Sequence, residues 1–522
     1  MSAKHNKSMI ASVKARWIVA LTCGIVATTG AATVWGQADS PVSPRNDETR
    51  KAERRDRAGG RMGGGRDREV TLPSEVTALK SLSVILGCPT DHSVVVSVLT
   101  VDESEGYVEY GLTAGKYTGK TDRVAFPAGK PTEITIRGLK SDKRYFYRVR
   151  YRKTGENSYI EGKPFSFHTQ RAPGSTFMFE IQGDSHPERT GKQFDAALYS
   201  QLLRAAADDR PDFYMTIGDD FSVDTLRTVN AETVRSVYLT QRLFLSQIAG
   251  SAPVFLVNGN HEQAAACNLD GTPDNVAVWA QTSRNRYFPQ PAPDSFYTGD
   301  AQNVEHIGLL RDYYSWTWGA ALFVVIDPYW HSSKPVDNVY GGGAKSRDQW
   351  GITLGDAQYK WLTATLEKSK AKYKFVFSHH VLGTGRGGIE QAELFEWGGK
   401  DRRGGSEFAT KRPGWPLPIH QLMVKSGVTI FFQGHDHVFA KQQLDGVVYQ
   451  TLPSPADPNY ALLNDTAYKT GDKLPNSGRV RVTVSRANIK VDYVRSYLTI
   501  DETKERTNGE IAYSYTLSSG DR

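Results

Sequence analysis

Cysteine is scarce: the 522-residue chain has three. Cys23 lies within the first apolar run, which leaves Cys88 and Cys267, either as two separate thiols or as one bridge. So few thiols exclude a disulfide scaffold, and stability has to come from a packed core. Long apolar runs are also few, and beyond Trp35 no segment is apolar enough to span a bilayer. A block of like charge is missing as well. The formal net charge is +7, but four of those charges (Lys4, Lys7, Lys14, Arg16) precede the first apolar run and two more arise within residues 39–70, so the rest is nearly neutral. Nucleic-acid binders concentrate positive charge on their folded surface, and this chain does not. No internal repeat of fixed period is present, and the composition is that of an ordinary globular protein.

What is there falls into four segments. Residues 1–38 combine a basic start, an apolar stretch from Trp17 to Trp35, and small residues at Gly36 and Ala38, the pattern of an export signal peptide. Retained, the same stretch would act as a membrane anchor; cleaved, it leaves a periplasmic or extracellular protein. Residues 39–72 hold Ser-Pro pairs, mixed charge and Gly63-Gly64-Gly65 with almost nothing to bury, and read as a disordered linker.

Residues 73–173 follow a period of two. In the run from Tyr145 to Tyr151, the side chains of Tyr145, Tyr147, Val149 and Tyr151 share one face, and Phe146, Arg148 and Arg150 the other. Short strands at this spacing predict an all-β sandwich. Leu139, a polar turn and Tyr145 at a strand start resemble the tyrosine corner of fibronectin type III domains, modules that often serve as spacers.

From residue 174 to 522 the texture is β-α-β, with apolar strands expected at 177–182, 213–217, 254–257, 321–326, 375–377 and 429–432 and helices at 194–207, 232–248, 356–368 and 418–425. After residue 437 the chain returns to strands at 447–452, 480–484 and 489–493, expected in the same domain. Such alternation predicts an α/β architecture with sheets covered on both faces. Five of these strands end in metal-liking side chains: Gly183-Asp184-Ser185-His186, Gly218-Asp219-Asp220, Asn258-Gly259-Asn260-His261-Glu262, Ser378-His379-His380 and Gly434-His435-Asp436-His437. Strand ends of this topology lie on one rim, so distant residues can converge there. Carboxylate, amide oxygen and imidazole without thiolate suit iron, zinc or manganese better than calcium. Alone, each block is ordinary turn chemistry. All of them in order are not.

The ordered set resembles the calcineurin-like metallophosphoesterase superfamily, over about 250 residues of this chain. The resemblance implies a four-layer α/β (α+β) sandwich and two metal ions. Asp184, His186, Asp219 and His437 would hold the first; Asp219 would bridge to the second, completed by Asn260, His379 and His435. His261 would be the catalytic imidazole facing the phosphate, donating a proton to the leaving oxygen or stabilising its charge. Paired cations acidify a shared water, and the hydroxide so formed attacks phosphorus.

The β-sandwich ahead of this core is similar to the layout of purple acid phosphatases, and Trp316 and Trp318 before a strand ending at Asp327 fit the same likeness. One departure stands out: those enzymes have a metal-binding tyrosine where this chain has Ser222, and His186 would replace it. His380, Asp220, Glu262 and Asp436 adjoin the blocks and are expected either to orient ligands or to lie in solvent. His331 and His420 fall outside and read as ordinary histidines. Between His379 and His435, Arg386 and Arg403 sit in glycine-rich loops and are candidates to grip a phosphate. The substrate class expected is a small-molecule phosphate monoester. The alternatives are a phosphodiesterase or nucleotidase on the same metals, or a non-catalytic surface-binding protein that keeps only the fold.

Overall fold

Strand alternation in the first folded segment places Val84, Leu86, Val94, Val96 and Val98 on one inner face and Val108, Tyr145, Tyr147, Val149 and Phe167 on the other, where they make one core. In the computed structural model, which describes residues 70–336, 348–382 and 385–518, these side chains come from two antiparallel sheets. One comprises Leu82–Gly87, Val94–Thr100 and Thr132–Ile136. The other is built on the pair Ser104–Gly111 and Arg144–Lys153. The Tyr145 hydroxyl accepts a hydrogen bond from the Lys140 backbone N–H at 2.9 Å, which pins the turn before its strand. The signal-peptide reading of residues 1–38 and nearly all of the linker reading of 39–72 lie outside the described residues. Cys88 and Cys267 are both free thiols.

This sandwich packs against the elements that follow it. Its Ser83 and Ser97 receive the buried guanidinium of Arg242, from helix Ala231–Ala249, with Nε 3.0 Å from Ser83 Oγ and Nη2 2.9 Å from the Ser97 carbonyl. The Tyr147 hydroxyl donates to the Gly250 carbonyl at 2.6 Å. A guanidinium held by several fixed acceptors locks orientation, so the sandwich and the following domain are joined by a specific polar contact.

The rest of the chain stacks two sheets face to face. One has six strands in the order Val254–Leu256, Phe213–Thr216, Phe177–Gln182, Gly478–Val484, Asn488–Arg495 and Ile511–Ser518; its first three are parallel. The other has eight, and its centre runs Ala321–Val325, Tyr373–Phe377, Ile430–Gln433 and Val447–Thr451, all parallel. Aromatic side chains fill the space between: Phe179 stacks on Phe213 at 5.3 Å and meets Phe323 edge-on at 5.3 Å. Helices Ala196–Asp209, Ala231–Ala249 and Val276–Tyr287 bury their apolar faces on the outside of the six-stranded sheet. Gly355–Lys368 and Ile419–Lys425 do so on the eight-stranded one. The result is an α/β architecture with covered sheets, as the alternation predicts, in the four-layer form that the resemblance implies.

The late strand Gly478–Val484 lies antiparallel to Phe177–Gln182 inside the first sheet. Arg479 there meets Glu180 at 2.9 Å, both buried. Among the described residues no helix is long and apolar enough to cross a membrane.

Candidate metal centre

Each ligand block begins where a parallel strand runs out, and the turns are sharp. His186, Asp219, His435 and His437 all have positive φ, at 48°, 57°, 67° and 53°. Side chains other than glycine adopt that region rarely, and when they do the surroundings hold them there, often at functional sites. The neighbouring glycines let the blocks close on one another. A Cβ on Gly259 would stand 2.3 Å from Asp219 Oδ1, and one on Gly434 would stand 2.4 Å from Asp184 Oδ1.

The structure brings all seven proposed ligands together and buries them. Asp219 Oδ2 is at the centre, 3.0 Å from His379 Nε2, 3.6 Å from His186 Nε2 and 3.8 Å from His261 Nε2. Its other oxygen accepts the His261 backbone N–H at 2.9 Å. Asp184 Oδ2 lies 3.1 Å from His437 Nε2 and 3.8 Å from His186 Nε2. On the far side of Asp219, His435 Nδ1 lies 3.1 Å from Asn260 Oδ1 and 3.3 Å from His379 Nε2. Three overlapping donor groups result, Asp184 with His186 and His437, His186 with Asp219 and His261, and Asp219 with His379 and His435, each with ligand atoms within 4.8 Å of one another.

These residues fit a metal cation better than they fit each other. His186 Nε2 is buried without a hydrogen-bonding partner. Burial disfavours charge on His379, yet Asp219 and Asp184 lift its imidazole to about 10, while burial lowers His186 to about 4. A set in which one imidazole is forced to hold a proton and its neighbour refuses one is relieved when cations take the place of protons.

The residues around the ligands hold them in place. Glu188 Oε1 lies 2.7 Å from His186 Nδ1, and the Ile217 carbonyl 2.8 Å from His379 Nδ1, which leaves each Nε2 for the cluster. Ser222, in place of the tyrosine, puts its hydroxyl 3.1 Å from the same His186 Nδ1. The block neighbours are all buried rather than in solvent. Glu262 accepts the N–H groups of Asp220 and Gly259 at 2.9 and 2.8 Å, bracing two blocks at once. Asp220 takes Ser185 Oγ at 2.6 Å, Asp436 takes Tyr468 Oη at 2.6 Å, and His380 Nδ1 meets Tyr329 Oη at 2.7 Å.

His261 sits at the edge of the cluster, with Asp224 Oδ1 2.8 Å from its Nδ1 and Arg189 Nη2 3.4 Å from its Nε2. Burial opposes a charge there, but Asp219 and Asp224 outweigh it and raise the imidazole to about 9. Glu188, Arg189 and Asp224 were not singled out in the sequence. Each follows a block by a few residues, and no periodicity marks them.

Of the two arginines expected near substrate, Arg386 donates from Nη1 to the His435 carbonyl at 2.9 Å and to Asp436 Oδ1 at 3.0 Å. Arg403 is exposed on a turn where its backbone N–H donates to Asp401. Only Arg386 contacts a ligand block in these bonds. His420 is an ordinary buried histidine between Tyr449 and Asp445. His331 is not, because it gathers with Asp300 and Asp312.

The ordered blocks, converged in this way, have a counterpart among known proteins: residues 181–439 match the calcineurin-like phosphoesterase family. The chain belongs to that family. This calcineurin-like phosphoesterase is therefore a metal-dependent hydrolase of phosphate esters, a family chemistry that uses divalent ions, and its buried Asp and His groups are suited to hold them. Its fold is similar to that of the purple acid phosphatase PPD1 from yellow lupin (Lupinus luteus) seeds, with a TM-score of 0.53 and 16% identity, covering 83% of this chain and 74% of that one. It is also similar to PhoD, with a TM-score of 0.59 and 13% identity over 87% and 91% of the two chains. At these identities the likeness is one of fold. No curated protein matches the chain.

Proposed function

We propose that this phosphoesterase is an exported phosphatase that hydrolyses small-molecule phosphate monoesters with two metal ions bridged by Asp219. The observation that carries the reading is the position of Asp219 Oδ2, within 3.0 to 3.8 Å of imidazole nitrogens from three different blocks. Asp184, His186 and His437 would hold one ion and Asn260, His379 and His435 the other, with Asp219 common to both. When bound, such a pair neutralises phosphate oxygens and acidifies a water. Iron, zinc and manganese all suit the nitrogen and oxygen donors.

His261 supplies the proton. Asp224 fixes Nδ1, so Nε2 is the atom left to face the departing oxygen. Arg189, close to the same Nε2, adds positive charge where the phosphate would sit. Arg386 holds the block that carries His435 and His437, and its half-exposed guanidinium keeps donors for a substrate oxygen.

We assign residues 73–173 to a fibronectin type III-like domain, on the strength of the two sheets and the Tyr145 to Lys140 bond. Residues 174–522 form the catalytic domain, and the export signal in residues 1–38 directs the protein to the periplasm or the exterior.

The test is a steady-state comparison of a nitrophenyl phosphate monoester with the bis-nitrophenyl diester, after chelation and separate return of iron, zinc and manganese. The proposal expects metal-dependent turnover with the monoester preferred. Preference for the diester would move the protein to phosphodiesterase chemistry on the same centre, and metal binding without turnover of either ester would make it a binding protein.

A further inference from the structure

A second cluster of ligating side chains stands at the edge of the eight-stranded sheet, outside every family block. Asp300 follows strand Thr298–Gly299, Asp312 precedes its partner Tyr314–Trp318, and His331 comes after Ala321–Val325, so three neighbouring strands deliver one side chain each. One ligand atom from each lies within 4.8 Å of the other two. His331 Nε2 is 3.1 Å from Asp312 Oδ2.

The carboxylates are almost fully buried, with 3% of Asp300 and 1% of Asp312 exposed. The backbone accounts for one oxygen of each: Asp300 Oδ1 accepts the Gln302 N–H at 2.7 Å and Asp312 Oδ1 accepts the Tyr313 N–H at 2.8 Å. Asp300 Oδ2 is buried with no well-aligned hydrogen bond, and among the described residues the only side chains against this carboxyl besides His331 are the Tyr313 hydroxyl and the Asp312 carboxyl. A buried, unpaired carboxylate oxygen is costly, and two carboxylates this close repel. Burial, and then Asp312, push the Asp300 carboxyl up to about 6. One imidazole cannot satisfy both acids when its Nε2 is already engaged by Asp312.

We propose that Asp300, Asp312 and His331 bind a divalent transition-metal ion, separate from the centre bridged by Asp219. Two carboxylate oxygens and one imidazole nitrogen make a three-ligand set of the kind zinc accepts, leaving a position for water, and the nitrogen favours zinc or manganese over calcium or magnesium. The ion is a brace. Beside it, Asp327 takes Asn258 Nδ2 at 2.6 Å, and Asn258 belongs to the block that carries Asn260 and His261.

The experiment uses the full chain, stripped with a chelator and equilibrated in parallel with zinc chloride and manganese chloride. Bound metal per chain is counted by mass spectrometry for the parent, Asp300→Asn and His331→Gln, with circular dichroism to establish folding. Each folded variant is expected to carry one equivalent less than the parent. Parent crystals equilibrated with the same salts are expected to show an anomalous peak among the three side chains, a readout that needs no variant. Variants with the parent's full metal content, or parent crystals with no such peak, would overturn the proposal and leave Asp300 and Asp312 sharing a proton. Neither result depends on whether any ester is hydrolysed.

Discussion

The carboxylate of Asp224 straddles His261 Nδ1, with its two oxygens at 2.8 and 3.0 Å. That contact fixes which ring nitrogen faces the cluster and raises the affinity of the ring for a proton. Asp224→Asn should lower kcat about 10- to 100-fold, the range for a residue that orients another. Because Asp224 is one of the groups lifting His261, its loss should also move the alkaline limb of the rate profile to lower pH. A pH profile of both proteins checks this; an unchanged limb would mean that His261 does not deliver the proton.

His261→Ala should leave bound metal intact, since none of the seven ligands is altered. Hydrolysis should fall by about 10² to 10⁴ for loss of a general acid. Metal analysis alongside turnover separates this from a damaged centre. The deficit should shrink with an ester whose leaving group needs no proton.

Stability should depend on the late strand. Arg479 is buried against Glu180, and removing it leaves that buried carboxyl without its partner between strands Phe177–Gln182 and Gly478–Val484. Arg479→Met should destabilise the protein by ~1–3 kcal/mol, the cost of a buried polar group left unpaired, read from the denaturant midpoint. Combining Arg479→Met with Glu180→Gln should recover part of that loss, because the second change removes the acid.

His168 gives the sandwich a pH dependence of known sign. Burial lowers its proton affinity, with Nδ1 2.7 Å from the Thr169 carbonyl. The unfolded chain therefore takes up the proton first, near the ordinary value of about 6.5. Its contribution is complete above that value and is lost as pH falls below it. Between about pH 7.5 and 5.5 the urea midpoint of the parent should fall relative to that of His168→Gln.

The centre was largely legible because its chemistry sits in short blocks directly after strands, where residue type and order are local properties of the sequence. Asp184, His379 and His437 announce themselves in that way. Asp224, Glu188 and Arg189 do not, because a carboxylate or guanidinium a few residues downstream acquires its meaning only when the turn folds back. Helix Val276–Tyr287 was missed for a related reason: beside Val276, Ala280 and Tyr287 it buries Gln281 and Arg284, the latter's Nη2 donating to the Leu256 carbonyl at 3.0 Å, so its inner face is a mixture rather than an apolar stripe. The sheet order was illegible too. Val447–Thr451 inserts between Ile430–Gln433 and Phe439–Leu444, a pairing set by tertiary packing. His331 looked ordinary because its partners, Asp300 and Asp312, come from neighbouring strands rather than from its own loop.

The account turns on Asp219 as the one group shared by two ions. The most direct measurement is the metal content of Asp219→Asn beside the parent, each reconstituted with zinc or manganese and assayed on the same ester. The account predicts that this single change removes two equivalents of metal, sparing any ion at Asp300, Asp312 and His331, and abolishes turnover. A folded Asp219→Asn protein that keeps its metal and hydrolyses ester at the parent's rate would contradict it.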